Sequence, residues 1–435
     1  MRCIESLAAR CARLLTGSLV ATGLLASPGS AQSGAQPKAV TLHFATTEDQ
    51  DAMQPVIDAF TATHPGVTII HESIPFDDFN NVLQARIGQG DSTPDVFTAD
   101  MPAISALVQR GFLADLTDKV GDISKQHLPA SLQAVTVNGH VYALPVSTST
   151  MVLYYNVDLL KAANVAPPGR TPKDRLTWEQ VVQEAGQAQK AGARWGLLWD
   201  QVSRIYQQQT LPESLGGGNG VSPGDPLKLD ITNDQWVKAF TFYADAFASG
   251  LAPRGVPGPG QTAELFASGK VAFFAGGPWW VPRLFSKQAN LHYSFTPYPY
   301  FTGGVPVTPT GSWAWGVNPK TEHMDLALEF VKFASLTKEG ALAAAVKQPI
   351  PPANLEALQT YVDQPQFQAA NLTGIGELMR YELANTARIR PRTVGWIQYE
   401  SILNKSIEDI RNGSPVRPAL EGAGQEIEAA WSRLR

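Results

Sequence analysis

The chain has 435 residues, 44% of them hydrophobic and 17% charged, with a formal net charge of −5. That composition is globular rather than disordered, and the length suffices for two or more domains at ~100–200 residues each. The mild acidity argues against a nucleic-acid partner. The first element in the chain reads as an export signal. Arg2, Arg10 and Arg13 flank an apolar run of 13 residues, 14–26, and small residues then lead to a cleavage site after Ala31 or Ser33. The run is too short for a mature membrane anchor, and no later run approaches ~18 residues. Both cysteines, Cys3 and Cys11, lie in this segment. The exported chain is therefore expected to carry no disulfide, no thiol chemistry and no cysteine for a lipid anchor. Three arginines and Glu5 leave with residues 1–31, so 31 basic and 38 acidic residues remain. These features predict a cleaved, periplasmic protein without a lipid anchor.

The next elements alternate strand and helix. Val40, Leu42 and Phe44 share one face of a predicted strand. Met53, Val56, Ile57 and Phe60 follow at helical spacing, and "HPG" at 64–66 stops that helix. "VTII" at 67–70 is a second strand, so the chain opens in the pattern of a parallel α/β sheet. "PDVFTAD" at 94–100 is a third strand, with Pro102 placed for the first turn of a helix that ends at Gly111. "TWEQVVQEAGQAQKAG" opens on a Thr177–Gln180 capping box and buries Trp178, Val181, Val182, Ala185 and Ala188. Residues 271–274 read as a strand, and 322–335 as an amphipathic helix through Met324, Ala327, Leu328 and Val331.

Gly- and Pro-rich stretches at 216–226 and 252–260 read as surface turns. The first lacks the Gly-Lys-Ser/Thr ending of a phosphate loop. The seven histidines show no metal-ligand spacing, and neither a metal nor a cofactor is expected. None of the ten tryptophans precedes Trp178, which suggests two lobes with different interiors.

Five segments, taken in order, resemble one family. They are "IDAFTATHPGVTII", "LQARIGQGDSTPDVFTADMPAISALVQRGFLADL", "YALPVSTSTMVLYYNVDLL", "ELFASGKVAFFAGGPWW" and "TGSWAWGVNPKTEHMDLALEFVKFAS". Together they are similar to the solute-binding proteins of carbohydrate ABC importers, the maltose-binding-like group. The resemblance implies an α/β, two-lobed periplasmic-binding-protein fold with a ligand cleft and three crossings, near 145–150, 316–319 and 350–364. It implies a signal peptide at 1–31, an N-terminal lobe of 36–147 plus 318–355, and a C-terminal lobe of 148–317 plus 356–435. It also implies no catalysis, a monomer, and an ABC permease in the inner membrane as partner.

A sugar offers hydroxyls for carboxylates, amides and arginines, and C–H faces for aromatic rings. Ligands of open α/β sheets bind outside the carboxyl ends of strands. "AGGPWWVP" follows the strand at 271–274, so Trp279 or Trp280 is expected to meet the ligand while the other packs. In "TGSWAWG", Gly311, Ser312 and Trp313 are candidates, and Trp315 is assigned to the core. Thr47, Glu48 and Asp49 end the first strand, where acids also suit a helix dipole. Asp100 ends the third strand and matches an acidic family position; it also suits an N-cap. The resemblance further points to Asp78 and Phe79 after the second strand, to Ser147, Thr148 and Ser149 at the first crossing, and to Arg392 and Trp396. Trp199 and Tyr206 are second-lobe candidates. Arg388 and Arg390 fit surface salt bridges as well.

These features predict a receptor for a sugar, oligosaccharide or polyol. A receptor of the same fold for glycerol-3-phosphate or its diesters is the alternative, although "VKQPIPPAN" lacks a tyrosine expected there and the acidic candidates would repel a phosphate. A secreted glycoside hydrolase is the third reading. No nucleophile elbow appears, and nothing indicates two carboxylates at a fixed separation.

Overall fold

The computed structural model describes residues 39–255, 258–347 and 350–434. The expected leader lies outside them. Nine strands carry the architecture. They are β1 (Val40–Thr46), β2 (Val67–Ser73), β3 (Val96–Asp100), β4 (Ala143–Thr148), β5 (Val152–Asn156), β6 (Trp195–Trp199), β7 (Val271–Gly276), β8 (Tyr293–Pro297) and β9 (Ser312–Val317).

The first sheet runs β2-β1-β3-β9-β4 and the second β8-β5-β7-β6. β1 is parallel to β2 and β3, whereas β9 is antiparallel to β3 and β4. In the second sheet β6 and β7 are parallel and β5 runs against β7 and β8. These are the sheets of two lobes.

The opening β-α-β unit forms for the reason its periodicity suggests. Met53, Val56, Ile57 and Phe60 on the helix Gln50–Thr61 are buried on the first sheet. The helix Trp178–Lys190 has the expected reciprocal cap. The Gln180 N–H donates to Thr177 Oγ1 at 3.3 Å, and the Thr177 N–H to Gln180 Oε1 at 2.8 Å.

The chain leaves the first sheet after β4 and enters the second at β5. It returns before Ser312, earlier than the expected crossing at 316–319. β9 pairs Trp313 with Asp100 and Gly316 with Phe97, so residues 312–317 belong to the first sheet, not to the C-terminal lobe. The ladder decides this, because a central strand satisfies its backbone polar groups on both sides. The last passage lies near 350–354, where bridges join Ser147 to Pro352 and His127 to Asn354.

The lobes have different interiors. Trp178, Trp199, Tyr243 and Phe247 pack on one face of the second sheet; Tyr154, Phe266, Phe274 and Phe285 pack on the other. The first lobe's core is mainly aliphatic, with Phe44, Phe60, Trp315 and Phe330 buried on one side of its sheet and Phe79 and Phe97 buried as well. Trp315 is 1% exposed, as its core assignment requires. Behind the second sheet Arg175 donates to Glu382 at 2.5 Å, and Thr308 Oγ1 donates to the same carboxylate at 2.7 Å. Those bonds satisfy a charge pair that burial alone would penalise.

Candidate functional site

The carboxyl ends of β1, β3, β4, β6 and β7 converge with the start of β9. Between them lies a cavity of about 360 Å³. The first lobe contributes Glu48 after β1, Asp100 at the end of β3, Ser149 after β4, and Gly311 and Trp313 at β9. The second lobe contributes Gln201, Arg204 and Tyr206 after β6, Trp279 and Arg283 after β7, and Arg390 and Glu400 from the C-terminal part.

Glycines let two of these walls form. A Cβ on Gly277 would sit 2.0 Å from the indole of Trp279, so the ring folds back onto glycine backbone. A Cβ on Gly311 would meet the Tyr206 ring at 2.9 Å and Ser149 Oγ at 3.0 Å. Here glycine serves close approach. Ser149 Oγ accepts from the Gly311 N–H at 2.7 Å and lies 3.0 Å from the Tyr206 hydroxyl. Two crossings are thereby tied together at the base of the cleft.

Ion pairs reach across the cleft. Arg390 donates to both oxygens of Asp100, at 2.8 and 2.5 Å, and both side chains are buried. This two-pronged geometry is the strong form of the pair. Arg390 also lies over the rings of Tyr206 and Trp396, 5.3 and 5.5 Å from their centroids. Burial works against its charge, but Asp100 and Glu400 outweigh burial and hold its pKa above the ordinary value. Arg283 donates to Glu48 at 3.2 Å. Burial raises the Glu48 pKa, Arg283 opposes that, and Asp49 adds to it. Glu400 is pushed up to about 7 by burial and by Asp100, against Arg390 and Arg204. Its side chain is 22% exposed, toward the cavity. Among the described lining residues, three carboxylates face three arginines.

The sequence profile of the bacterial extracellular solute-binding proteins matches residues 45–341. That span covers most of the chain and both lobes. The chain belongs to this family. It is 29% identical to a maltodextrin-binding protein of Bacillus subtilis over 264 residues, which are 57% of this chain and 58% of that one. It is 24% identical to a galactooligosaccharide-binding protein of the same organism, over 76% of this chain and 78% of the other. A probable ABC transporter-binding protein of Deinococcus radiodurans is 26% identical over 93% and 96% of the two chains. Solved structures share the fold. An ABC substrate-binding protein of Listeria monocytogenes, in complex with cycloalternan, superposes with a TM-score of 0.77 at 22% identity, covering 90% of this chain and 98% of that one. The GacH receptor of Streptomyces glaucescens, described unliganded and with acarbose, gives 0.74 at 20% identity, over 91% and 98%.

On this solute-binding fold the expected residues divide. Thr47, Glu48, Asp100, Ser149, Tyr206, Trp279, Gly311 and Trp313 line the cavity. Of the paired tryptophans, Trp279 faces the cavity. Trp280 packs, half-buried, between the two cores of the second lobe. Ser312 begins β9 opposite Thr148.

The other candidates lie elsewhere. Asp49 caps the helix Gln50–Thr61, accepting from the Ala52 N–H at 2.8 Å. Asp78 is exposed on the helix Phe76–Gln89, and Phe79 of that helix is 2% exposed in the core. Ser147 is buried in β4. Trp199 is core, and Trp396 lies buried beneath Arg390. Arg392 donates to the Gln133 carbonyl at 2.6 Å and lines a separate open groove with the 216–226 turn. Its neighbour Arg390, read as fitting a surface salt bridge, is the buried partner of Asp100.

Sequence reasoning passed over Gln201, Arg204, Arg283, Ile350 and Glu400. Two carry a usable signal. Arg283 and Glu400 each stand four residues beyond a tryptophan of interest, Trp279 and Trp396, and so return to the same side of a helical turn.

Proposed function

We propose that this protein is the receptor of an ABC importer for an uncharged saccharide or polyol, held in the cavity between the lobes. The observation that carries the reading is the indole of Trp279, laid on Gly277 beside the Asp100–Arg390 pair. A ring face and fixed, paired hydrogen-bonding groups suit the two kinds of surface a sugar presents. The arginines support neutrality of the ligand. Arg390 is paired with Asp100 and Arg283 with Glu48, so the carboxylates of the lining offset these positive charges, which disfavours a phosphate ester. The names of the relatives, which speak of maltodextrin and galactooligosaccharide binding, support the same class.

In this reading residues 1–31 direct export and are cleaved, the protein acts as a periplasmic monomer, and ligand closes the lobes before delivery to the permease. The family is one of binding proteins, and the reading includes no turnover.

A thermal-shift screen of residues 32–435 against saccharides, polyols and glycerophosphodiesters tests this. Ligand at 100 times its Kd is expected to stabilise the protein by ~2.7 kcal/mol. A saccharide or polyol hit weakened by Trp279→Ala supports the reading. A response to phosphodiesters alone, or turnover of an aryl glycoside, refutes it.

A further inference from the structure

We propose that Asp200 is a positioning residue for the aromatic wall of the cavity, holding the 276–280 turn from beneath so that Trp279 faces the ligand. The ligand arm of this proposal rests on the saccharide reading; the structural arm does not.

The backbone of Asp200 is pinned beside that turn. Its N–H donates to the Ala275 carbonyl at 2.8 Å, and its own carbonyl accepts from Thr262 Oγ1 at 3.0 Å. Gln207 braces the same point, donating to the Ala275 carbonyl at 2.8 Å and accepting from the Gln201 N–H at 2.7 Å. The side chain is 0% exposed, and neither carboxyl oxygen makes a hydrogen bond of standard geometry. The indole N–H of Trp280 is likewise buried without a standard partner. The groups that favour the charged carboxylate are the Trp280 indole, the Gly277 N–H, Gln201 and Trp279. Three of these four belong to the turn. An acceptor and a donor, each costly to bury alone, are therefore both buried beside the turn that presents Trp279.

A core position would be filled more cheaply by an apolar side chain. A carboxyl group here instead gives the turn a polar anchor, since glycines and prolines supply no side chain that could hold it. Burial pushes this carboxyl up to about 7. The phenols of Tyr154, Tyr206 and Tyr298 are the titratable groups within its field. An uncharged amide is thus a close substitute at mildly acidic pH.

The test uses tryptophan fluorescence. The Trp279 component is isolated as the difference between each protein and its Trp279→Phe counterpart. At mildly acidic pH, Asp200→Ala is expected to shift this component to the red and raise its acrylamide quenching several-fold. Asp200→Asn is expected to leave it near the wild-type value. For whichever saccharide the screen identifies, Asp200→Ala should weaken Kd roughly tenfold and Asp200→Asn far less. If Asp200→Ala does not fold, Trp280→Phe, which removes the buried indole N–H of the turn, should disturb the Trp279 component in the same direction. An unchanged Trp279 component in the folded variant overturns the proposal, whether or not saccharide binds. A disturbed component without saccharide binding sustains the positioning role and refutes only the saccharide reading.

Discussion

The Asp100–Arg390 pair offers the sharpest test of how the lobes meet. Arg390→Met removes the cation and leaves Asp100 buried, with Glu400 the next acid within reach of the same guanidinium, at 3.8 Å. Breaking a buried pair from one side costs roughly 3–5 kcal/mol. The compact unit 39–435 has an unfolding entropy of about 0.8 kcal/mol/K at the usual value per residue, so the melting temperature should fall by about 4–6 °C. Asp100→Asn should cost less, because Arg390 keeps Glu400 and the faces of Tyr206 and Trp396. The double variant Asp100→Leu/Arg390→Met should be more stable than Arg390→Met alone, since it strands no charge at Asp100. Thermal unfolding of the four proteins by circular dichroism gives the ranking. A melting temperature for Arg390→Met within 1 °C of wild type would refute the reasoning. It would mean that the lobes part and solvate Asp100 at no cost.

Two further outcomes follow from the same cavity, and a third from the buried His127 outside it. Gly277→Ala places a methyl group in the Trp279 ring, so it should cost saccharide affinity roughly tenfold with little change in melting temperature; titration calorimetry on the two proteins decides it. Glu400, raised to about 7 in the fold, favours the folded state most below its unfolded value near 4.5, and that contribution is lost as pH rises through 7. Glu400→Gln should therefore flatten the fall in stability between pH 5 and 8 by roughly 2 kcal/mol, allowing for its contact with cavity water. His127, lowered to about 4 by burial, acts oppositely: its contribution is present above about 6.5 and fades as pH falls toward 4, so urea melts at pH 5 and 8 on wild type and Glu400→Gln separate the two groups.

Local signals determined the elements and their order. Helical spacing at Met53–Phe60 placed a buried stripe, a Thr177–Gln180 box placed a helix start, and glycines beside Trp279 marked a turn at a strand end. Residues at strand ends were legible for the same reason, since a strand's carboxyl end is a property of the sequence around it. Glu48, Asp100 and Trp279 follow from that rule, whereas Gly311 and Trp313 stand at the start of a strand. What the chain could not disclose locally is which groups meet across 290 residues. Asp100 also suited a helix cap, and Arg390 the surface, until packing of the lobes made each the other's counter-charge. Asp49, one residue from Glu48, went the other way, because the helix start claims its carboxylate first. The strand at 312–317 joined the first sheet because its backbone groups find partners there on both sides, a choice no periodicity encodes. Asp200 makes the point most simply. In sequence it is one acid after a strand, and only burial beneath a turn some 80 residues away gives it anything to hold. Pairing energies depend on dielectric and distance, and both come into being only when the tertiary structure closes.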